Sequence, residues 1–328
     1  MNAAAILVNR ATVIDLAFWK PHEKAFAGAS FNVHCLLSGP VDGNNRDEGV
    51  VADFSTAKKT IKRDIDQHID PYQFDSPTDA ALANGFDHKL VLPTKEFFRP
   101  LTGEESQLFE SAVFKFERTG ETHCLVTNQQ MPQFRLLVPL NALRLVPADV
   151  LFDLEKEVFT PFEKYLGDFL QQSLPGVTIK SFVDQRPDLG PLGRLLGGKC
   201  HIEFFDYAHG LRHSSSYGCQ NILHGHLSFV ASMDPSEAQQ ISKYLNGAYL
   251  YQSKVTHGSV PLRIEYHTDA RGEFSYQPGE GDHQNNLNLG NEPTVENLGA
   301  HIASVLKTRS PFFLSEGLQK GCLVDGRS

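Results

Sequence analysis

His224 and His226 stand one residue apart, around Gly225, in a protein of 328 residues. On a strand, residues i and i+2 point to the same face, so these two imidazoles can reach one metal ion. Upstream, Phe205-Asp206-Tyr207-Ala208-His209-Gly210-Leu211-Arg212-His213 supplies a third candidate ligand, His209, on a neighbouring predicted strand. Three histidines with an open fourth position are the ligand set of catalytic zinc. Such a metal polarises a bound oxygen or acidifies a bound hydroxyl or water. Cys219 lies between these histidines in a Tyr-Gly-Cys-Gln-Asn loop, away from any apolar run. A thiolate beside a metal or a histidine is a candidate base or nucleophile, and Cys219 is also a candidate fourth zinc ligand. Cys35, Cys124, Cys200 and Cys322 fall in strand-like or terminal contexts that suit core packing.

The elements that position these residues can be read from periodicity. Ala11 to Phe18 reads as a strand, and Ser30 to Gly39 as a second, with Phe31, Val33, Cys35 and Leu37 alternating onto one face. Ser55 is a candidate cap for a helix to about Ile69, with Ala57, Ile61, Ile65 and Ile69 on one stripe. Residues 70–110 read as irregular. Val113–Arg118 and Glu121–Thr127 flank Thr119-Gly120 as a hairpin, and a helical pattern from Ala148 to Leu174 is interrupted at Pro161. Val177–Val183 returns to strand. The Gly- and Pro-rich stretch Arg186–Gly198 is the linker candidate.

Past it, strands are expected at Cys200–Tyr207 and Leu223–Ser232, with a helix at Pro235–Leu245. Strand-like runs follow at Tyr249–Val255, Leu262–His267 and Glu273–Tyr276. A helix Val295–Leu306 capped by Thr294 and a strand Phe312–Leu318 come last. Both halves begin with two strands and end helix–strand, the pattern of a tandem duplication. The expected domains are 1–185 and 198–328.

Composition bounds the function. Net charge is −9, from 39 acidic and 30 basic side chains, so no nucleic-acid partner is expected, since that would call for a basic footprint. Hydrophobic residues make up 41% and charged residues 21%, as in an ordinary globular protein with material for a core. No run approaches the roughly 18 apolar residues of a membrane span, and Met1–Arg10 lacks a signal-peptide pattern. Five scattered cysteines argue against a disulfide scaffold, so a cytoplasmic setting without a membrane partner is the expectation.

Several motifs together resemble one family. Ala208-His209 with His213, Cys219, Leu223-His224-Gly225-His226, Glu292-Pro293-Thr294-Val295-Glu296-Asn297-Leu298 and Leu314-Ser315-Glu316 look like the 6-pyruvoyltetrahydropterin synthase and 6-carboxytetrahydropterin synthase family. In the N-terminal half, Gly39-Pro40-Val41-Asp42, Gly49-Val50-Val51-Ala52-Asp53-Phe54 with Lys58-Lys59, and Phe86-Asp87-His88-Lys89-Leu90 resemble other motifs of the same family. The halves depart from the pattern in complementary ways. Ala27-Gly28-Ala29 stands where the family has His-Gly-His, and Ala17-Phe18-Trp19 where it has a further histidine, so this half should hold no zinc.

The resemblance implies an α+β fold of two tandem tunnelling-fold domains, each an antiparallel sheet with helices on one face. It implies a homo-oligomer with sites between subunits, and a small-molecule pterin substrate. Zinc would sit on His209, His224 and His226. Cys219 with the pair Asp87 and His88 would carry the acid–base chemistry, with Asp282-His283 as the alternative pair. Glu316 would hold the N–C–N edge of a pterin through a bidentate carboxylate. The expected reaction consumes 7,8-dihydroneopterin triphosphate and yields a 6-pyruvoyl or a 6-carboxy product. The four residues between Cys219 and His224 fit the spacing of neither branch. Activity on another pterin or purine-like heterocycle, or ligand binding without catalysis, are the rival expectations.

Overall fold

The computed structural model describes residues 3–40, 51–68, 89–94, 99–100, 109–110, 114–120, 123–139, 143–196, 201–205, 207–209, 227–231, 235–245, 248–251, 264–268, 272–277, 285–291, 294–307, 310–316, 318 and 320–325. Ala3–Lys20 (β1) and Ala25–Pro40 (β2) pair as one long antiparallel hairpin. Alternation decides its inner face: Val8, Ile14 and Phe18 on β1, with Phe31, Val33, Cys35 and Leu37 on β2, are all buried. A bulge between the Val8–Cys35 and Thr12–Val33 pairs leaves Arg10 at φ 48°, a left-handed conformation that a side chain rarely adopts.

Phe54–His68 (α1) lays Ala57, Ile61 and Ile65 against this hairpin. Its cap is Asp53, where the sequence suggested Ser55. The Thr56 amide donates to Asp53 Oδ1 at 2.7 Å, and bonding from Thr56 holds that carboxyl below the usual aspartate range. Since the helix starts at Phe54, Ser55 is already inside the first turn.

Residues 70–110 read as irregular, yet strands lie in their described parts: Lys89–Thr94 (β3), Arg99–Pro100 (β4) and Phe109–Glu110 (β5). Phe114–Thr119 (β6) and His123–Asn128 (β7) form the expected hairpin, with Gly120 at φ 68° supplying the turn geometry. Asn128 Oδ1 accepts from the amides of Gln130 and Met131, turning the backbone into Arg135–Pro139 (β8), which precedes Leu143–Pro147 (β9).

The next helical pattern splits into Ala148–Glu155 (α2) and Thr160–Gln171 (α3), because Glu157 adopts φ 58° and Pro161 starts a new first turn. The Glu155 carboxylate, 6% exposed, fastens the tip of the β1–β2 hairpin: the amides of His22 and Glu23 donate to it, and His22 Nδ1 lies 2.8 Å away. Thr178–Asp184 (β10) then pairs with β2.

The linker candidate holds a helix, Leu189–Leu196 (α4). Asp188 Oδ1 accepts the Gly190 amide at its start, and Leu192 and Leu196 are buried four residues apart. Helical spacing of leucines outweighs the glycine and proline content here.

The remaining elements are His201–Phe205 (β11), Tyr207–His209 (β12), Leu227–Ala231 (β13), Pro235–Leu245 (α5), Ala248–Tyr251 (β14), Ile264–Thr268 (β15), Gly272–Gln277 (β16), Asn285–Asn288 (β17), Val295–Leu306 (α6), Phe312–Glu316 (β18) and Lys320–Val324 (β19). The cap of α6 is Thr294, as its sequence suggests, with Oγ1 accepting the Asn297 amide at 3.3 Å.

The described strands form four sheets, and with the helices they make an α+β architecture. Their orders are β10-β2-β1-β3-β9-β4, β11-β13-β18-β19, β12-β14-β17 and β15-β16-β8-β7-β6-β5. Most pairings are antiparallel. The β1–β3–β9 and β12–β14–β17 pairings are parallel, which requires longer connections than a hairpin turn allows. One core gathers the inner face of the first sheet, α1, α2 and α3, and Phe114, Cys124, Val126 and Leu136 of β6, β7 and β8. A second gathers Ala238, Ile241 and Leu245 of α5, Leu298 and Ile302 of α6, and Phe312 and Leu314 of β18. The last sheet crosses the expected domain boundary, because Ser275, Tyr276 and Gln277 of β16 pair with Leu137, Leu136 and Arg135 of β8.

Candidate functional site

Three strand ends carry the C-terminal motif, and their registers converge. Phe205, the last residue of β11, pairs with Leu227, the first of β13. Leu227 follows His226 in the sequence. One step along, Ser228 of β13 pairs with Phe204 on one side and with Ser315 of β18 on the other. Glu316 closes β18 at this same end of the sheet, directly opposite Lys320 of β19. His209 ends β12, where it pairs with Leu250 of β14. The backbone therefore brings the start of β13 and Glu316 to one sheet end, with β12 following β11 after Asp206. Cys219, His224, His226, Asp87, His88, Asp282 and His283 lie outside the described residues.

The strands next to the two Asp-His pairs differ in rank. Lys89, which follows His88, opens β3 beside Leu16 of β1. Asn285, which opens β17, pairs with Ala248 of β14, and β14 separates β17 from the strand of His209. One strand spacing is about 4.8 Å, so β17 stands roughly 10 Å from β12.

In the N-terminal half, the positions without ligands lie along the β1–β2 hairpin. Ala29 is buried, Ala17 pairs with Gly28, and Phe18 pairs with Ala27. Trp19 meets Phe114 and Phe134 edge to face, at centroid distances of 5.0 and 6.2 Å. Among the described residues no group of three or more His, Cys, Asp or Glu is placed to hold a metal.

A separate polar cluster occupies the other face of β2. Asn32 Nδ2 donates to Asp184 Oδ1 at 2.9 Å and to the Arg186 carbonyl at 2.8 Å. His34 Nε2 lies 3.1 Å from Asp184 Oδ2, while its Nδ1 faces Asn9 and the Arg10 amide. Arg10 reaches Asp188 at 3.2 Å. Both nitrogens of His34 are engaged, so this histidine holds the bulge to β10 and is not a spare metal ligand. Burial opposes ionisation of Asp184, but hydrogen bonds from Asn32, Arg186 and His34 outweigh it and lower its pKa.

The cysteines divide by environment. Burial pushes the thiols of Cys35 and Cys124 up to about 12, and both are enclosed in the core, so neither supplies a thiolate near neutral pH. Half-buried Cys322 is also raised by burial. Two of the expected packing cysteines, 35 and 124, are thus core residues, while Cys200 and Cys219 lie outside the described residues.

No family model matches the sequence, and no curated protein matches it either. Among solved structures, it is similar to 6-pyruvoyltetrahydropterin synthase of Plasmodium vivax, at 15% identity over 57% of this protein and 94% of that one, with a TM-score of 0.36. The Plasmodium falciparum 6-pyruvoyl tetrahydropterin synthase gives 16% identity over 56% and 91%, with a TM-score of 0.35. No helix among the described residues is long and apolar enough to cross a membrane. Sequence reasoning passed over Lys320, whose place opposite Glu316 needs the β18–β19 register, although the Glu-Gly-Leu-Gln-Lys run has the length of a hairpin turn.

Proposed function

We propose that the protein is a zinc-dependent pterin synthase acting on 7,8-dihydroneopterin triphosphate, with a 6-pyruvoyl or 6-carboxy product. The observation that carries this reading is the meeting of strand ends: Phe205 with Leu227, and Ser228 with Ser315 next to Glu316. Glu316 belongs to β18, His226 directly precedes β13 in the sequence, and His209 ends β12, which follows β11 after Asp206. Three neutral imidazoles, His209, His224 and His226, suit zinc and leave one position for substrate. Bound zinc would supply positive charge that acidifies C–H bonds beside the hydroxyls it holds.

The protein's own groups do the rest. Elimination breaks a C–H bond in the substituent at C6 of the pterin and the C–O bond to triphosphate, leaving an enol that becomes a ketone by proton transfer. Moving the hydrogens of the remaining CH–OH carbon onto ring C6 and N5 then gives the 6-pyruvoyl product with no outside oxidant, whereas a 6-carboxy product also requires release of the outer carbons as a fragment. The Cys219 thiolate takes the first proton, and His88, oriented by Asp87, returns one. Glu316 accepts the paired donors of the pterin N–C–N edge.

The same reading implies a tandem duplication with domains 1–185 and 198–328, in which the second half supplies the metal ligands and the thiol and the first supplies the dyad. Its support is recurrence: β10 lies beside β2 of the β1–β2 pair, and β18 lies beside β13 of the β11–β13 pair. A homo-oligomer in the cytoplasm, with the dyad meeting the metal across an interface, completes the proposal.

The test is direct. Zinc-loaded protein is incubated with 7,8-dihydroneopterin triphosphate, and products are followed by absorbance and mass. Formation of a 6-pyruvoyl or 6-carboxy pterin that Cys219→Ala abolishes, while zinc content stays intact, supports the reading. The absence of any pterin product overturns it.

A further inference from the structure

Among the described residues β10 is an end strand of the first sheet, with β2 on one side. Its other side is taken up by α3. In an antiparallel pair, alternate residues turn their backbone N–H and C=O groups away from the partner strand. On β10 the Ile179 amide donates to Gln171 Oε1 at 3.0 Å, and the Val183 amide donates to Glu163 Oε1 at 2.9 Å. Gln171 Nε2 in turn donates to the Val177 carbonyl at 2.6 Å. Between these two caps, Ser181 Oγ donates to the Glu163 carbonyl. Gly167 lets the helix come so near that a Cβ there would lie 3.3 Å from Ser181 Oγ and 3.6 Å from the Ser181 nitrogen. Glu163, Gly167 and Gln171 are four residues apart, about 6 Å per step along a helix. Val183, Ser181 and Ile179 are two residues apart, roughly 6.6 Å per step along a strand. The two rows run in step, so one helix face meets the strand edge group by group.

We infer that this row on α3 is an edge cover, which keeps β10 from accepting a strand of a second copy of this chain. The inference stands apart from the proposed chemistry. A bare strand edge is a template for pairing with another chain. Thr178-Ile179-Lys180-Ser181-Phe182-Val183 would pair readily, since it is rich in β-branched and aromatic residues and carries one charge and no glycine or proline. Two copies of β10 related by a twofold axis would satisfy each other's outward groups. Glu163 and Gln171 already supply what such a neighbour would offer at Val183, Ile179 and Val177. Copies in the proposed homo-oligomer therefore join through strands other than β10.

The experiment uses the full chain as wild type, Gln171→Ala, Glu163→Ala/Gln171→Ala and Glu163→Gln. Mass is followed by sedimentation equilibrium over a range of concentrations, and the Ile179 and Val183 amides by hydrogen exchange. In dilute protein, Gln171→Ala should quicken exchange at Ile179 about tenfold, and the double variant should quicken it at both amides, as the loss of one hydrogen bond each implies. As concentration rises, both variants should form assemblies heavier than wild type, and the exposed amides should regain protection because β10 then pairs with β10. Glu163→Gln keeps an acceptor for Val183 and should match wild type. Exchange as slow as in wild type would show that these side chains do not cover the edge. Faster exchange with wild-type mass at every concentration would show that they only hold α3 to β10, and either result overturns the inference. Gln171 is exposed, so its single variant keeps the fold and decides the question should the double variant unfold.

Discussion

The indole of Trp19 meets Phe114 edge-on, with ring centroids 5.0 Å apart and planes at 86°. Phe134 completes the group, 5.7 Å from Phe114 and 6.2 Å from Trp19. The contact joins the end of β1 to the sheet that contains β5 to β8. Trp19→Ala should cost about 3–5 kcal/mol, the usual loss for truncating a buried aromatic ring. Urea denaturation checks this, and a loss under about 1 kcal/mol would mean that the cluster is not part of the cooperative core.

Asp184 gives the fold an acid sensitivity. Its carboxyl pKa is lowered in the folded state: burial works against ionisation, but the bonds from Asn32, Arg186 and His34 prevail. A depressed folded value means that the contribution to stability is present above the unfolded aspartate value of about 3.9 and disappears as pH falls through the folded value. Asp184→Asn should therefore lower the denaturation midpoint at pH 7 and flatten its decline in acid. Parallel acid profiles for wild type and variant would contradict this.

Metal content tests the proposed division of labour between the two halves. Protein purified without chelator should carry roughly one zinc per polypeptide by mass spectrometry, as a single three-histidine set implies. His224→Ala and His226→Ala should each lose most of it. Two zinc ions per polypeptide, or wild-type content in both variants, would defeat the assignment.

Gly299 sits in α6, where a Cβ would come within 2.5 Å of Val324 Cγ2. Replacing a helix glycine by alanine ordinarily gains up to about 1 kcal/mol. Here crowding against β19 should reverse the sign, with a loss of about 1–3 kcal/mol typical of overpacking. Differential scanning calorimetry of Gly299→Ala would show a lower Tm, and an unchanged or higher Tm would show that Val324 turns aside without cost.

Local signals were legible in this sequence where one element supplies all of them. Pro235–Leu245 and Val295–Leu306 stand where their periodicity places them, and Thr294 caps the second. The hairpin around Gly120 was equally plain. The helix Leu189–Leu196 was hidden by its own glycines and proline, since composition outvotes a short leucine spacing by eye. The strands β3 and β4 take their pairing from partners far along the sequence, which no local window contains, whereas β5 pairs with the nearby β6. The same holds at the site. Histidine spacing and the Glu316 motif could be read directly, whereas Lys320 becomes visible only through the register of β18 and β19.

The pairing of β8 with β16 sets a condition on any attempt to divide the protein. Cut between β10 and β11, the C-terminal piece would keep β15 and β16 as a two-stranded ribbon, which is marginal alone. The N-terminal piece would present β8 as an open edge, ready to pair with another copy of itself. Each piece produced alone should be prone to aggregation, and the two should become soluble together when co-expressed, with β16 returning to β8.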